Sequence, residues 1–356
     1  MRIGLALTSL IVGILFLIAA SLVGAVMSGP IPVGQLLHWK TDDLDGFRQA
    51  WKRSCSTRHG IDGSWSNAAL RQSRLRLCAE TIPDGQDGLR GWLEKNFLAL
   101  TYDQLVNVTG YYEPALQGSR TRTSKYSAAI LGPPDDLRRK LVANTPYFDR
   151  AAIENGALTR EGLVLAWVDP VDAFFLHIQG SGQIALDGET PVRFGYAADN
   201  GHSYRAIGRD LIELGVIQRA DMSIKAIRSW LKSNPSEAPA IMQRNKRYIF
   251  FRKLKTKGPV GAFGMVLTPR RSVAASPDTQ TGLPIWLDAG AGQNGKSPPF
   301  RRLVMAQDKG AAIQGLRLDY FWGSGDHAGE LAGRTNVSVG MTILVPRDYV
   351  NAIKQR

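Results

Sequence analysis

Apolar positions recur every three or four residues between Thr41 and about Leu100. Leu44, Phe47 and Trp51 fall on one face and Leu89, Trp92, Leu93 and Phe97 on another, the spacing of helices that bury one side. From Val106 the texture changes to short apolar runs broken by glycine, such as Val108-Thr109-Gly110-Tyr111-Tyr112-Glu113-Pro114 and Gly162 to Val168, which read as strands. Two more helices are expected. One carries Tyr204, Ile207 and Leu211; the other opens with Ser223 as N-cap before Ile224, Ile227 and Leu231 and stops at Asn234-Pro235. Beyond Phe250-Phe251 and a lysine-rich turn, glycine-punctuated strands run to the C-terminus, including Leu303 to Ala306 and Leu316 to Tyr320. The pattern predicts a mainly β protein with some helix and no internal repeat.

At 356 residues, 44% hydrophobic and 21% charged, the chain can bury a large core and is long enough for two domains. Its first 27 residues stand apart, because Arg2 precedes a stretch without charge from Ile3 to Val26. That stretch is an export signal, long enough to cross a bilayer. It reads either as a signal peptide cut near Val23-Gly24-Ala25 or as an uncut anchor, and membrane contact is expected through this segment only. Cys55 and Cys78 lie beyond it and would meet an oxidising space, so a disulfide is expected, with two buried thiols as the alternative. The net charge of +13 suits nucleic acid, anionic lipid or an acidic wall polymer. Basic pairs such as Arg138-Arg139, Arg270-Arg271 and Arg301-Arg302 are scattered and form no tract, which argues against nucleic acid as partner.

The densest polar and glycine-rich cluster runs from Ala306 to Asp326. It places Asp308 after one apolar run and Asp319 at the end of the next, beside Tyr320, Phe321 and Trp322. A carboxyl against aromatic rings is partly desolvated, which favours its protonated form and suits a general acid. The competing reading makes both aspartates turn caps next to glycine. A second cluster, Asp169 to Gly182 followed by Asp199 to Tyr204, gathers amide, hydroxyl and glycine groups; a strand and turn account for Gln179-Gly180-Ser181-Gly182 without a ligand.

Other chemistries fit poorly. Ile178-Gln179-Gly180-Ser181-Gly182 lacks the first glycine of a nucleophile elbow, and Gly323-Ser324-Gly325-Asp326-His327-Ala328-Gly329 misplaces the third glycine of a dinucleotide loop. The five histidines are scattered without metal-ligand spacing, so no metal and no cofactor are expected; His177 and His202 read as structural before they read as site residues.

Five segments in order resemble the membrane-bound lytic murein transglycosylase A family: Thr109 to Pro114, Gly118-Ser119-Arg120-Thr121, Asp172 to Gly182, Asn200 to Tyr204, and Asp308 to Gly329. The resemblance covers roughly residues 105 to 346. It implies a double-psi β-barrel from residues 28–110 and 255–356, with a smaller β-domain of residues 111–254 inserted and a glycan groove separating the two. It implies that Asp319 is catalytic and that Asp308 is the other acidic position of an aspartate-bearing module. The chain departs from the pattern at Lys309-Gly310-Ala311, where a double glycine is usual, at Ala275, where an aspartate is usual, and in lacking a lipoprotein cysteine.

The implied activity is that of a peptidoglycan lytic exotransglycosylase, a carbon–oxygen lyase that leaves a 1,6-anhydromuramic end in the periplasm of a Gram-negative bacterium. One carboxyl suffices when the C6 hydroxyl of the sugar attacks its own anomeric carbon. Tyr112, Phe175 and Trp322 are the stacking candidates, and Gln179, Ser181 and Gln307 the hydrogen-bonding ones. Partners would be glycan strands, with proteins of cell-wall synthesis or remodelling besides. The alternative is a wall-binding envelope protein without catalysis.

Overall fold

The computed structural model describes residues 27–56, 68–143, 145–158, 162–276, 282–290, 300–310, 313 and 315–354. The apolar segment 3–26 lies outside them, and among the described residues no helix is long and apolar enough to cross a membrane. In chain order the strands are β1 (Met27–Pro32), β2 (Phe97–Tyr102), β3 (Val106–Glu113), β4 (Ala115–Ser119), β5 (Ala128–Leu131), β6 (Val164–Val168) and β7 (Ser181–Leu186). They continue with β8 (Val192–Asp199), β9 (Ile249–Leu254), β10 (Ser272–Ala275), β11 (Pro284–Ala289), β12 (Phe300–Asp308), β13 (Arg317–Ser324) and β14 (Asn336–Pro346). Contacts divide the chain into one unit of residues 1–110, 261–323 and 335–356 and another of residues 111–260 and 324–334.

The first unit holds a sheet in the order β1-β2-β14-β11-β12-β10-β13-β3, and β14 also pairs with β3, so six strands close into a barrel. β14 achieves this by changing partners along its length: Asn336–Val339 pair with β3, Gly340–Ile343 with β11, and Thr342–Pro346 with β2. Alternation decides what fills the barrel. Val273, Ile285, Val304, Leu318, Tyr320 and Met341 point to one fully buried cluster. Phe97, Trp286, Leu303, Met305 and Leu344 point the other way, against helices.

Those helices are the ones the spacing predicts. Phe47–Cys55 buries Phe47, Ala50, Trp51 and Ser54, and Gly85–Asn96 buries Leu89, Trp92, Leu93 and Asn96. Phe97 does not extend the second helix; it begins β2, where its ring meets Trp51 and Trp92 edge-on with centroids 5.9 and 5.6 Å away. Cys55 and Cys78 are joined in a disulfide that ties Phe47–Cys55 to the helix Ala68–Ala79.

The second unit holds the sheet β5-β6-β4-β7-β8-β9 with its own helices. The strand-and-turn alternative for Gln179-Gly180-Ser181-Gly182 does not hold as stated, because Gln179 ends the helix Pro170–Gln179 and Ser181 opens β7. Asp169 caps this helix by accepting from the amides of Val171 and Asp172, and Gly180 ends it at φ 74°. No strand-or-helix period is visible there because the helix is buried on both sides. Ala173 and Leu176 face the sheet, while Val171, Phe174 and Phe175 face the helices Ile207–Glu213, Ile224–Ser233 and Ala238–Gln243. Ser223 caps Ile224–Ser233 through the amide of Ala226.

Candidate active site

β10 is a short strand with a carboxylate on either side of it. Ala274 pairs with Asp319 of antiparallel β13 and with Asp308 of parallel β12. The two aspartates are therefore two strand spacings apart, roughly 10 Å between backbones. Their common face depends on a bulge: Val273 pairs with Ala306, but Ala274 pairs with Asp308, so Gln307 is an extra residue that re-aims Asp308. Just before β10, buried Arg271 grips buried Asp42 with two bonds of 2.6 and 2.9 Å, and Asp42 also accepts from the amide of Leu303 at 2.8 Å. Strand and neighbour are thus pinned to the same carboxylate.

Asp319 sits third in β13, in the body of the strand and not at its end. Its side chain is 25% exposed. The Thr109 hydroxyl of β3 donates to its Oδ1, and Arg317 Nη2 lies 3.9 Å from the same oxygen. Burial raises the proton affinity of Asp319 above the ordinary carboxyl value, Arg317 opposes that rise, and the charge of Asp308 adds to it. A carboxyl so placed keeps its proton to higher pH and then releases it to a reacting group, the behaviour of a general acid.

Asp308 Oδ1 accepts from the amides of Ala262 at 2.7 Å and Lys309 at 2.9 Å. Residue 261 must be glycine for this approach, because a Cβ there would stand 2.6 Å from the Gln307 carbonyl and 3.1 Å from the Asp308 carboxyl carbon. Asp308 thus caps a turn and acts electrostatically on Asp319 at once.

Two of the expected sugar ligands lie elsewhere. Gln307 is fully buried: its Nε2 donates to the Ala50 carbonyl and to Ser54 Oγ, both at 2.8 Å, and its Oε1 accepts from Ser272 Oγ at 2.5 Å. Its amide serves the core, so the expectation of a ligand at Gln307 is corrected. Trp322 follows Leu318 and Tyr320 in the alternation of β13 and packs against the barrel interior, on the face opposite Asp319. Its Nε1 donates to Thr335 Oγ1 at 2.7 Å, and its ring meets Tyr320 edge-on. The aromatic ring that does share the face of Asp319 is buried Phe321. Ala275, the position of the missing third aspartate, pairs with Leu318 and is wholly buried among the interior residues.

In the second unit, the Tyr112 amide donates to Gln179 Oε1 at 3.2 Å. The Tyr112 hydroxyl is pushed up by burial, with Arg228 opposing. Phe175 is buried with the Arg228 guanidinium 4.5 Å over its ring. Phe175 and Gln179, with Ile178, Tyr204, Ile207 and Met222, line a cavity of about 540 Å³. Ser181 opens β7 opposite Gly195 and is partly exposed. Gly182 is a packing glycine, since a Cβ would meet Leu176 at 2.4 Å.

His177 is buried beside Arg150, 3.0 Å from its Nδ1, and burial and that cation hold it well below the usual imidazole value. His202 Nε2 lies 2.8 Å from the Tyr147 carbonyl. Both are structural. Glu113, unassigned from sequence, is wholly buried on Arg193, Gln183 and Ser324, the Arg193 Nε bond being 2.6 Å.

Comparison with known proteins agrees with this architecture. Residues 107–252 match the MltA specific insert domain and residues 271–345 the 3D domain. Membrane-bound lytic murein transglycosylase A of Escherichia coli K12 is 33% identical over 274 residues, 74% of this chain and 72% of that protein. The chain belongs to the membrane-bound lytic murein transglycosylase A family. Among solved members of that family, the membrane-bound lytic murein transglycosylase from Agrobacterium tumefaciens superposes with a TM-score of 0.81 at 29% identity, covering 92% of this chain and 99% of that one. Escherichia coli MltA with bound chitohexaose does so with a TM-score of 0.68 at 26% identity, covering 91% and 93%. The insert match starts within β3, two residues before Thr109, and the 3D match runs from Arg271 to beyond β13, so Thr109 falls within the first and Asp308, Arg317 and Asp319 within the second.

Proposed function

We propose that this chain is a peptidoglycan lytic transglycosylase in which Asp319 acts alone as acid and then base. The observation that carries the proposal is a single carboxyl, three-quarters buried, whose proton affinity is raised by burial and by Asp308. The acid form of Asp319 gives its proton to the glycosidic oxygen between N-acetylmuramic acid and N-acetylglucosamine, and the C1–O bond breaks. An oxocarbenium-like ring is left. The C6 hydroxyl of that ring attacks C1, and the Asp319 carboxylate takes its proton, closing a 1,6-anhydro bond without water and restoring the acid. Asp308, fixed by two amides, steadies the positive ring at a distance.

The family relationship supports the substrate, since the Escherichia coli relative, named a murein transglycosylase, matches over 74% of the chain and has been solved with chitohexaose bound. Tyr112, Gln179, Ser181 and the cavity beside Phe175 are the proposed sugar contacts outside the barrel. We place the catalytic domain in residues 28–110 and 255–356 and the insert in residues 111–254. The protein works in the periplasm, anchored if residues 3–26 stay uncut, and its charge of +13 favours the acidic wall polymer.

Purified sacculi are the test substrate. The wild type is expected to release muropeptides lighter by one water than hydrolysis products, and Asp319→Asn is expected to lose at least about a hundredfold in rate while still binding sacculi. Products with water added, or undiminished release by Asp319→Asn, would overturn the proposal.

A further inference from the structure

Thr109 stands between a cation and the acid. Arg317 Nη2 donates to Thr109 Oγ1 at 3.2 Å, and Thr109 Oγ1 donates to Asp319 Oδ1. A hydroxyl has one proton and two lone pairs, and a guanidinium can only donate. With Arg317 occupying a lone pair, the Thr109 proton is directed at Asp319. The cation also drains the hydroxyl oxygen of basicity, so Thr109 is a poor acceptor for a proton carried on Oδ1. The Arg317 Nε is buried without a hydrogen-bond partner among the described residues.

We infer that Thr109, polarised by Arg317, is a positioning residue that caps Oδ1 of Asp319 and confines the transferable proton to Oδ2. One oxygen then both delivers the proton and recovers it, so the carboxyl need not rotate between the two halves of the reaction. The inference rests on the reading of Asp319 as the acid. Among the described residues, the groups facing the carboxyl are Arg317 on its own strand, Thr109 on β3, uncharged Ala274 on β10, and Asp308 beyond it on β12.

Thr109→Val keeps the shape of the side chain and removes the hydroxyl, Thr109→Ser keeps the hydroxyl, and Arg317→Met removes the cation without touching β3. Release of anhydromuropeptides from sacculi is followed against pH at limiting and saturating substrate. Thr109→Val is expected to lower kcat about tenfold, with KM within about twofold, because an unaligned acid forfeits part of the general-acid advantage. A carboxylate that loses a donor holds its proton more tightly, so the alkaline limb of the profile moves to higher pH. Thr109→Ser restores both properties, and Arg317→Met moves the same limb in the same direction.

An unshifted limb in both Thr109→Val and Arg317→Met, or a Thr109→Ser variant as impaired as Thr109→Val, overturns the inference. Should Thr109→Val not fold, judged by its thermal transition, Arg317→Met and Thr109→Ser decide alone. Full activity of Asp319→Asn would instead overturn the reading of the acid itself, so the two failures are told apart.

Discussion

Replacing Gln307 by leucine separates a structural amide from a sugar ligand. Gln307 joins three elements: its amide nitrogen serves the Ala50 carbonyl and Ser54 hydroxyl of the helix Phe47–Cys55, and its oxygen takes the Ser272 hydroxyl of β10. Ser272 Oγ in turn accepts from the amide of Thr268 at 2.7 Å. Leucine fills nearly the same volume, so the loss is one of hydrogen bonding and not of packing. Three bonds at a net of about 1 kcal/mol each, plus a buried hydroxyl left without its acceptor, give a destabilisation of about 3 to 4 kcal/mol. In a unit of this size that corresponds to a fall of roughly 10 °C in Tm. Urea unfolding followed by tryptophan fluorescence reports it, because Trp39, Trp51, Trp92 and Trp286 lie in the cluster flanking this helix. KM for sacculi should stay within about twofold of wild type. A loss below about 1 kcal/mol together with a several-fold rise in KM would show that Gln307 faces the glycan and that the bonding described above is wrong.

Two further outcomes follow from the same structure. Because burial raises the native proton affinity of Asp319, its contribution to stability is full below the ordinary carboxyl value of 3.8 and is lost as pH rises through the raised native value. Asp319→Asn should therefore match the wild type in urea midpoint at low pH and exceed it near neutrality; a gap that does not vary with pH would contradict the desolvation of Asp319. The disulfide closes a loop of 23 residues, and Cys55→Ser with Cys78→Ser should cost about 3 kcal/mol on chain-entropy grounds, measured as the difference between oxidised and variant protein.

Local signals in the sequence reached the local structure. The helical spacing around Phe47 and Leu89, the Ser223 cap and the strand character of residues 303–306 and 316–320 are each set by neighbours a few positions away, and each is present. Asp308 and Asp319 were also legible as carboxylates carried by two successive strands. The strand between them was not, because β10 lies some thirty residues upstream of β12 and only pairing places it there. Gln307 looked like a free amide because an unbulged strand gives no hint of an extra residue. Trp322 was drawn to Asp319 by adjacency in sequence, although alternation sends it to the other face. Arg317 and Asp319, two apart beside Leu318 and Tyr320, carried a readable sign of a shared face. The partner Thr109, more than two hundred positions away, did not.

The strand that seals the barrel is nearly the last to be made. β14 touches β3, β11 and β2 in turn, so the sheet edge it joins has waited for more than two hundred intervening residues, and its closure carries the large entropy of a long loop. A chain truncated before Asn336 leaves β3 and β11 each with one side unpaired, and the wall that carries Thr109 loses a neighbour. A polypeptide stopped there has Asp319 in its sequence but no closed barrel to hold it.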